Sequence, residues 1–598
     1  MSAHWVVKSS DESLDFTISD LQEKYGIPEW VASVLFHRAA QWNDRTRTAI
    51  ERYLEPSLKY LPDPFTLPDM DRASERLAEA IHQKENIVIY ADYDVDGTVG
   101  AAVLRRFLRH FDIEPVIYQP DRQKEGYGIN AAAVEDLAGR GCSLLIAVDC
   151  GITSIKEVAI ANSLGLDVII CDHHEPKEVL PEAYAVLDHK RKDNEGAIHS
   201  LSGAGVAFYL ALATRSLLRD VDFFGQEGAP AEPDLRQLLD LVALATVADL
   251  VPLIEENRVL VKVGLEKMRK NPVLGLRELL SVAEIDPKLV EVYHLGFILG
   301  PRINAAGRLG SANAALELLT TENPEEARKL AVQLDAVNKE RIEILREVTE
   351  DALNKASLFL EIHGADAPAL ILHSEDWHEG VIGIAAARVL EKYHRPVVMI
   401  TFATHNGKGK GSIRGIPRLD LMVALDSCAE FLLGYGGHKV AAGLSLERVH
   451  LENFTTGFLA AVGDQVLALT GNSAKVLLKN VFADTQLSGD EEITERAIQF
   501  LEKLQPFGMG NPEPVVILSN WKISGYRVLK ERHLKLQLEH LRQGSIEGFW
   551  ANGVEHYNQK QEDIVDIACL PQINNFRNKK SLELKIKGIR YSANQAPL

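Results

Sequence analysis

The sequence predicts an α/β protein built around a parallel sheet, and three observations predict it. Ile87-Val88-Ile89-Tyr90-Ala91, Leu144-Leu145-Ile146-Ala147-Val148 and Val168-Ile169-Ile170-Cys171 are short continuous apolar runs, the pattern of strands buried on both faces. Helical pattern separates them, as parallel crossovers require. Each run ends in acid: Asp92, Asp94 and Asp96 follow the first, Asp149 the second, and Asp172-His173-His174 the third. The carboxyl ends of parallel strands share one sheet edge, where open α/β folds bind ligands. Carboxylates and imidazoles gathered there repel one another and lose solvation unless a cation sits among them. An oxygen-rich set with one or two imidazoles suits Mn²⁺ or Mg²⁺ better than Zn²⁺.

The remaining elements follow in chain order. Residues 1–80 are mainly helical and end in a Pro-punctuated strap, from Tyr53-Leu54-Glu55-Pro56 to Leu61-Pro62-Asp63-Pro64-Phe65, because prolines at that density break regular structure. After Gly97 comes an amphipathic helix with Val103, Phe107 and Phe111 on one face. Glu114-Pro115-Val116-Ile117-Tyr118 and Tyr184-Ala185-Val186-Leu187 are two further strand candidates, enough in all for a doubly wound sheet. Residues 200–320 read as helical, with Leu235 to Leu250 as a buried helix that delivers Asp249. Pro324 opens a long charged helix that can space two domains. A second α/β region has strands at Ala369-Leu370-Ile371-Leu372 and Val397-Val398-Met399-Ile400. The last stretch is strand-rich: Leu534, Leu536 and Leu538 alternate with polar neighbours, as do Leu582, Leu584 and Ile586. Short alternating strands with Gly-rich turns suggest a small barrel, and an OB-type barrel suits nucleic acid. The expected domains are 1–80, 81–322, a linker helix 323–362, 363–468 and 469–598.

At 598 residues the chain exceeds a single core. Hydrophobic residues at 46% and charged residues at 25% are ordinary for a globular protein. A net charge of −20 excludes a uniformly basic coat but leaves room for a local basic track. The five cysteines form no CxxC pair, so neither a zinc ribbon nor a disulfide framework is indicated. No basic stretch followed by an apolar segment opens the chain, and no apolar run approaches the ~20 residues that span a bilayer. A reducing cytoplasm and no membrane association are therefore expected.

Asp94-Val95-Asp96-Gly97, Val148-Asp149-Cys150-Gly151, Asp172-His173-His174 and Ala245-Thr246-Val247-Ala248-Asp249-Leu250-Val251-Pro252 occur in that order. Together they resemble the DHH phosphoesterase superfamily. The likeness runs over nearly the whole chain and narrows to the superfamily's bacterial single-strand-specific exonucleases. Supporting segments are Ser202-Gly203-Ala204-Gly205-Val206, Gly300-Pro301-Arg302-Ile303-Asn304-Ala305-Ala306-Gly307-Arg308, Trp377-His378-Glu379-Gly380, Gly436-Gly437-His438 and Pro506-Phe507-Gly508-Met509-Gly510-Asn511. The resemblance implies a DHH-type parallel sheet domain, a long helix, a DHHA1 α/β domain and a C-terminal OB-like barrel. It implies a 5′→3′ exonuclease on single-stranded DNA, active in recombination and repair, with two Mn²⁺ or Mg²⁺ ions. Asp149 would bridge the ions, Asp94 and Asp249 would complete one site, and Asp96 with His173 the other. Asp149, His173 and His174 form the implied catalytic set, His174 facing the scissile phosphate. Asp92 and Asp172 are either ligands or hydrogen-bonding supports, Asp172 being equally readable as a helix cap or a histidine anchor.

On the substrate side, Lys408 to Arg418 holds four cations and no acid among glycines and a serine. This resembles the DHHA1 module that would grip a 5′-phosphate through Ser412 and Arg414. The spacing Ser412-Ile413-Arg414-Gly415 departs from the commoner pattern, which has Gly between Ser and Arg, and a solvated surface loop is the plainer alternative. Arg302, Asn304 and His438 are further phosphate-binding candidates. Lys408, Lys410, Arg577, Lys585 and Lys587 are candidates for a DNA track, with ordinary solvent-facing strand cations as the alternative. Implied partners are single-stranded DNA, a single-strand-binding protein and a RecQ-like helicase, with the protein a monomer. The alternatives are a DHH phosphodiesterase of short oligoribonucleotides or cyclic dinucleotides, and a non-catalytic repair scaffold. The strap and barrel argue for a long polymer against the first, and the complete ligand set argues against the second.

Overall fold

The computed structural model describes residues 4–8, 14–42, 44–120, 125–309, 313–403, 407–470, 480–487, 493–557, 563–576 and 579–592. The chain divides into two compact units, Ser10–Asn338 with Thr494–Pro514, and Met1–Ser9 with Lys339–Ile493 and Val515–Leu598. No helix among the described residues is long and apolar enough to cross a membrane.

The first unit is built on five parallel strands, β1 (Ile87–Ala91), β2 (Val116–Tyr118), β3 (Leu144–Val148), β4 (Asp167–Cys171) and β5 (Ala185–Leu187). Their order is β2-β1-β3-β4-β5. Both faces are covered, as the unbroken apolar runs require. Ile87, Ile89 and Ala91 pack into one core with the helices α1 (Val95–Arg109), α2 (Gly203–Asp220) and α3 (Leu239–Ala248), while Val88 and Tyr90 pack into another on the opposite face. The order reverses between β1 and β3, the switch point at which loops from adjacent strands part and leave a crevice. Asp92 to Asp96 follow β1 and Asp149 follows β3, so both acidic segments flank that crevice. Two further helices belong to this unit: α4 (Glu255–Lys270) packs on α3, and α5 (Gly300–Leu309) follows a π-helical turn, Leu295–Leu299.

Helix α6 (Pro324–His363) runs 40 residues, and the division between the units falls within it. In the second unit a mixed sheet contains β6 (Leu370–Ser374), β7 (Val397–Thr401), β8 (Lys408–Arg414), β9 (Gly434–His438) and β10 (Ala441–Glu447), in the order β9-β10-β8-β7-β6. Helix α7 (Glu379–Tyr393) packs on β7 and β8. The basic Gly-rich segment is therefore no surface loop: it is the central strand, antiparallel to β7 and β10. The C-terminal strands β11 (Val516–Leu529), β12 (His533–His540), β13 (Gly544–Trp550), β14 (Ile564–Phe576) and β15 (Lys579–Tyr591) close through β11–β14 pairing into a five-stranded barrel. Leu534, Leu536, Leu538, Leu584 and Ile586 fill it, as the alternation predicts.

Candidate metal centre

Local geometry brings the acids together. Asp94 caps α1, its Oδ1 accepting from the N–H groups of Asp96 and Gly97 at 2.9 and 3.2 Å. Asp96, inside the first turn, is fully buried. Its oxygens accept from Gly203 and Ala204 N–H at 2.6 and 3.0 Å, so the N-terminus of α2 supports its charge. Glycine is needed at 203, because a Cβ there would lie 2.7 Å from Asp149 Cβ. Asp149 itself adopts φ 60°, a left-handed conformation uncommon for a residue with a side chain and frequent at functional sites. Asp249 is delivered by the buried helix, but that helix is shorter than expected: Leu235–Leu238 is a 3₁₀ turn, α3 ends at Ala248, and Asp249 is the residue after it.

His173 Nε2 lies 3.1 Å from Asp149 Oδ1, 3.4 Å from Asp249 Oδ2 and 3.6 Å from Asp96 Oδ2. The side chains form three potential donor groups: Asp92 with Asp94 and Asp149; Asp96 with His173 and Asp249; and Asp149 with His173 and His174. Within each, one atom per residue lies within 4.8 Å of the others. This partition differs from the implied one, because Asp249 clusters with Asp96 and His173 rather than with Asp94. Asp172 is an anchor: fully buried, it accepts from Ile152 and His173 N–H at 3.0 and 2.8 Å and from His174 Nδ1 at 2.7 Å.

Burial and then the neighbouring carboxylates push Asp149 well above the usual carboxylate range. The same causes push Asp96 up to about 7 and Asp249 up to about 8. Burial, followed by His174, pulls His173 down to about 3 and keeps a lone pair for coordination. Burial also opposes charge on His174, but its hydrogen bond to Asp172 and the nearby carboxylates raise it to about 9. Asp172, despite burial, is held low by His174. One imidazole is neutral and one charged, beside carboxylates whose ionisation is unfavourable without a cation. That donor chemistry fits hard divalent ions with oxygen and imidazole ligands.

Sequence reading missed Tyr127. Its hydroxyl donates to the Asp149 carbonyl at 3.0 Å and lies 3.0 Å from His174 Nδ1. The only sequence signal is the pair of flanking glycines, Gly126 and Gly128, both at positive φ. Asn304 is redirected: its Oδ1 accepts from Val95 N–H at 3.0 Å and braces the turn carrying Asp94 and Asp96. Arg302 is also engaged, paired with the buried Asp335 at 2.9 Å and donating to Ile298 O.

In the second unit Arg414 Nη1 donates to Ser412 Oγ at 3.0 Å and to Ile413 O at 2.8 Å. Both side chains face Gly383 of α7, where a Cβ would meet Ser412 Oγ at 2.8 Å and Arg414 Nη2 at 3.0 Å. Ile413 points the other way into the core. Lys410 is paired with Glu379 at 2.8 Å, and Lys408 is exposed opposite Glu447. His438 ends the exposed edge strand β9. On the barrel, strand register places Arg527, Lys535, Phe549 and Lys585 side by side on four strands, a row that the sequence hides. Lys535 is paired with Glu547 at 2.6 Å. Lys587 is exposed two positions along, and Arg577 lies outside the described residues.

The parallel sheet with acids and paired histidines at its switch point defines a DHH-type protein, and residues 86–246 match the DHH family, N-terminal domain. Residues 366–466 match the DHHA1 domain and 483–588 the RecJ OB domain. The chain is 33% identical to the single-stranded-DNA-specific exonuclease RecJ of Bacillus subtilis, over 98% of this chain and 70% of that protein. It is 36% identical to RecJ of Salmonella typhimurium, over 90% and 93%. The crystal structure of RecJ in complex with Mn²⁺ from Thermus thermophilus superposes with a TM-score of 0.79 at 28% identity, covering 98% of this chain and 79% of that one. The chain belongs to the RecJ family of single-stranded-DNA-specific exonucleases.

Proposed function

We propose that this chain degrades single-stranded DNA from the 5′ end by hydrolysis, with two Mn²⁺ or Mg²⁺ ions held by Asp94, Asp96, Asp149, His173 and Asp249. The observation that carries the reading is the contact of Asp149 with His173, which joins the Asp92, Asp94 and Asp149 group to the Asp96, His173 and Asp249 group in one continuous set. The Thermus RecJ crystal structure, which is a complex with Mn²⁺, supports the choice of ion. When bound, such ions polarise the phosphodiester and lower the pKa of the attacking water. Asp96, fixed by α2, and Asp149, fixed by its strained turn, keep their oxygens oriented without reorganisation. His174 holds its Nδ1 proton toward Asp172 and, charged near neutral pH, is suited to stabilise negative charge on phosphate oxygen. Asp92 belongs to the donor set, and Asp172 acts through His174.

Ser412 and Arg414, sharing one face of β8, would take the 5′-phosphate. His438 would approach the same backbone. Lys408, Lys585 and Lys587, with Arg527 and Phe549, would track the strand by charge and base stacking, while Glu547 offsets the charge of Lys535. Lys410 contributes little, because Glu379 offsets its charge. Arg302 and Asn304 support the site rather than grip phosphate. The protein would work as a monomer in the cytoplasm, in recombination and repair, with a single-strand-binding protein and a RecQ-like helicase as partners. The test is digestion of 5′- and 3′-labelled single strands and blunt duplex in Mn²⁺, Mg²⁺ and chelator. Metal-dependent release from the 5′ end of single strands is expected; release from the 3′ end, or equal attack on duplex, overturns the reading.

A further inference from the structure

The first unit contains a second concave site, a cavity of about 410 Å³ whose lining includes none of the metal-centre residues. Trp42 and Asp44, ahead of the strap, and Tyr53 and Tyr60, within it, line the cavity, and the first turn of α4 supplies Glu255 and Glu256. The rings of Trp42 and Tyr53 lie 4.6 Å apart. Glu256 is only 2% exposed. One of its oxygens accepts from His199 and Ser200 N–H at 3.0 and 2.8 Å. The other, Oε2, has no hydrogen-bond partner among the described residues, and neither does Glu255 Oε2. Buried carboxylate oxygens are rarely left so, because each forfeits its hydration.

The cations already at the cavity have partners other than Glu255 and Glu256. Arg258 donates to the carbonyls of Tyr53, Lys503, Leu504 and Gln505 and lies 3.8 Å from the Tyr53 ring centroid. Arg52 pairs with Asp44 at 3.6 Å. Lys59 and Arg52 already lie 4.7 and 5.7 Å from the Tyr60 ring centroid, so what remains is two acceptor oxygens and the ring of Trp42, whose quadrupole favours positive charge. An anion is repelled by that surface, and an apolar ligand leaves the carboxylates unpaired. A hard divalent ion needs more oxygens than the two glutamates offer. We propose that this cavity binds a free small organic cation of the alkylguanidinium or alkylammonium class, its head hydrogen-bonded to Glu255 and Glu256 beside the Trp42 ring and its aliphatic part against Tyr60. Burial pushes the Glu256 carboxyl up to about 7, and a cation bound beside it would draw it back toward its charged form.

The probe is agmatine, which carries a guanidinium at one end and an ammonium at the other, titrated calorimetrically into the full chain. Saturable one-to-one binding is expected, with quenching of tryptophan fluorescence. Glu256→Gln should weaken it about tenfold or more, the worth of a charge-assisted hydrogen bond. The new amide keeps an oxygen for His199 and Ser200, and circular dichroism checks the fold. Trp42→Leu, a second variant that leaves the carboxylates in place, should weaken binding a few-fold through the lost cation–π contact. Absence of binding up to roughly 10 mM, equal affinity for the Glu256→Gln chain, or equally tight binding of uncharged butylurea overturns the proposal. None of these readouts depends on nuclease activity.

Discussion

The two α/β sheets present their candidate residues in opposite ways. In the first, the acids and histidines other than Asp249, which follows helix α3, lie just beyond strand ends, where the chain leaves the ladder and can take conformations such as the φ 60° of Asp149. In the second, Ser412 and Arg414 lie within the central strand, two positions apart and therefore on one face. The difference follows from chemistry. Several carboxylates must converge on one point, which strand-end loops from neighbouring strands achieve. A serine and an arginine need only stand side by side, which the pleat of a strand achieves. The pleat also accounts for the unusual Ser-Ile-Arg-Gly spacing. Ile413 is on the far face, fully buried in the core, and puts no bulk beside a phosphate held between its neighbours.

The comparison can be broken or sharpened at several points. Asp149→Asn keeps a residue type that tolerates the left-handed backbone and should lower exonuclease turnover by about 10³-fold or more, with an unchanged circular dichroism spectrum. Near-normal turnover would remove the chemistry from the strand ends of the first sheet. Arg414→Ala should reduce the preference for a 5′-phosphate over a 5′-hydroxyl end by about 10- to 100-fold, measured in competition digests. An unaltered preference would move that pocket off β8. Gly383→Ala presses a methyl against the flexible tips of Ser412 and Arg414 and should reduce the same preference only a few-fold.

Stability offers a test of the acids that needs no substrate. Asp96 and Asp249 are raised to about 7 and about 8 in the fold, above their unfolded value near 3.9. The folded chain therefore binds more protons between those limits. The stability this contributes is fully present below about pH 4 and lost as pH rises through 7 to 8. Metal-free protein should melt lower at pH 8.5 than at pH 5.5 on this account, and saturating Mn²⁺ should raise melting more at the higher pH. Equal Mn²⁺ effects at both would argue against ions among these carboxylates. The smallest expected effect is that of Lys410→Ala. Its partner Glu379 is substantially exposed, and such pairs contribute about 1 kcal/mol or less. Single-strand affinity should change by under about twofold, whereas a large loss would restore Lys410 to the DNA track.

Much of the first sheet is legible because its signals are local. An apolar run fixes a buried strand, and the residues after it are read directly. Asp92, Asp94, Asp96, Asp149, His173 and His174 could all be singled out in this way, and Asp249 by the buried helix before it. The second sheet is less legible. Lys408 to Arg414 alternates glycine with cations, has the composition of a loop, and becomes a strand only because β7 and β10 flank it. Arg302 and Asn304 show the same limit of local reading. Their motif marks them as polar and functional, but Asp335 and the Val95 N–H, distant in sequence, take up those side chains.

By itself the sequence determined which chemical groups this protein gathers and at which strand ends they stand, since apolar period and residue type act over a few neighbouring positions. Only the tertiary structure decided how Asp249 groups with Asp96 and His173, and that Tyr127 joins the site. It also decided that a separate cavity keeps two glutamate oxygens without partners. Those outcomes depend on distances between segments up to about two hundred positions apart. Such distances are set by how whole layers pack, a constraint that no local pattern carries.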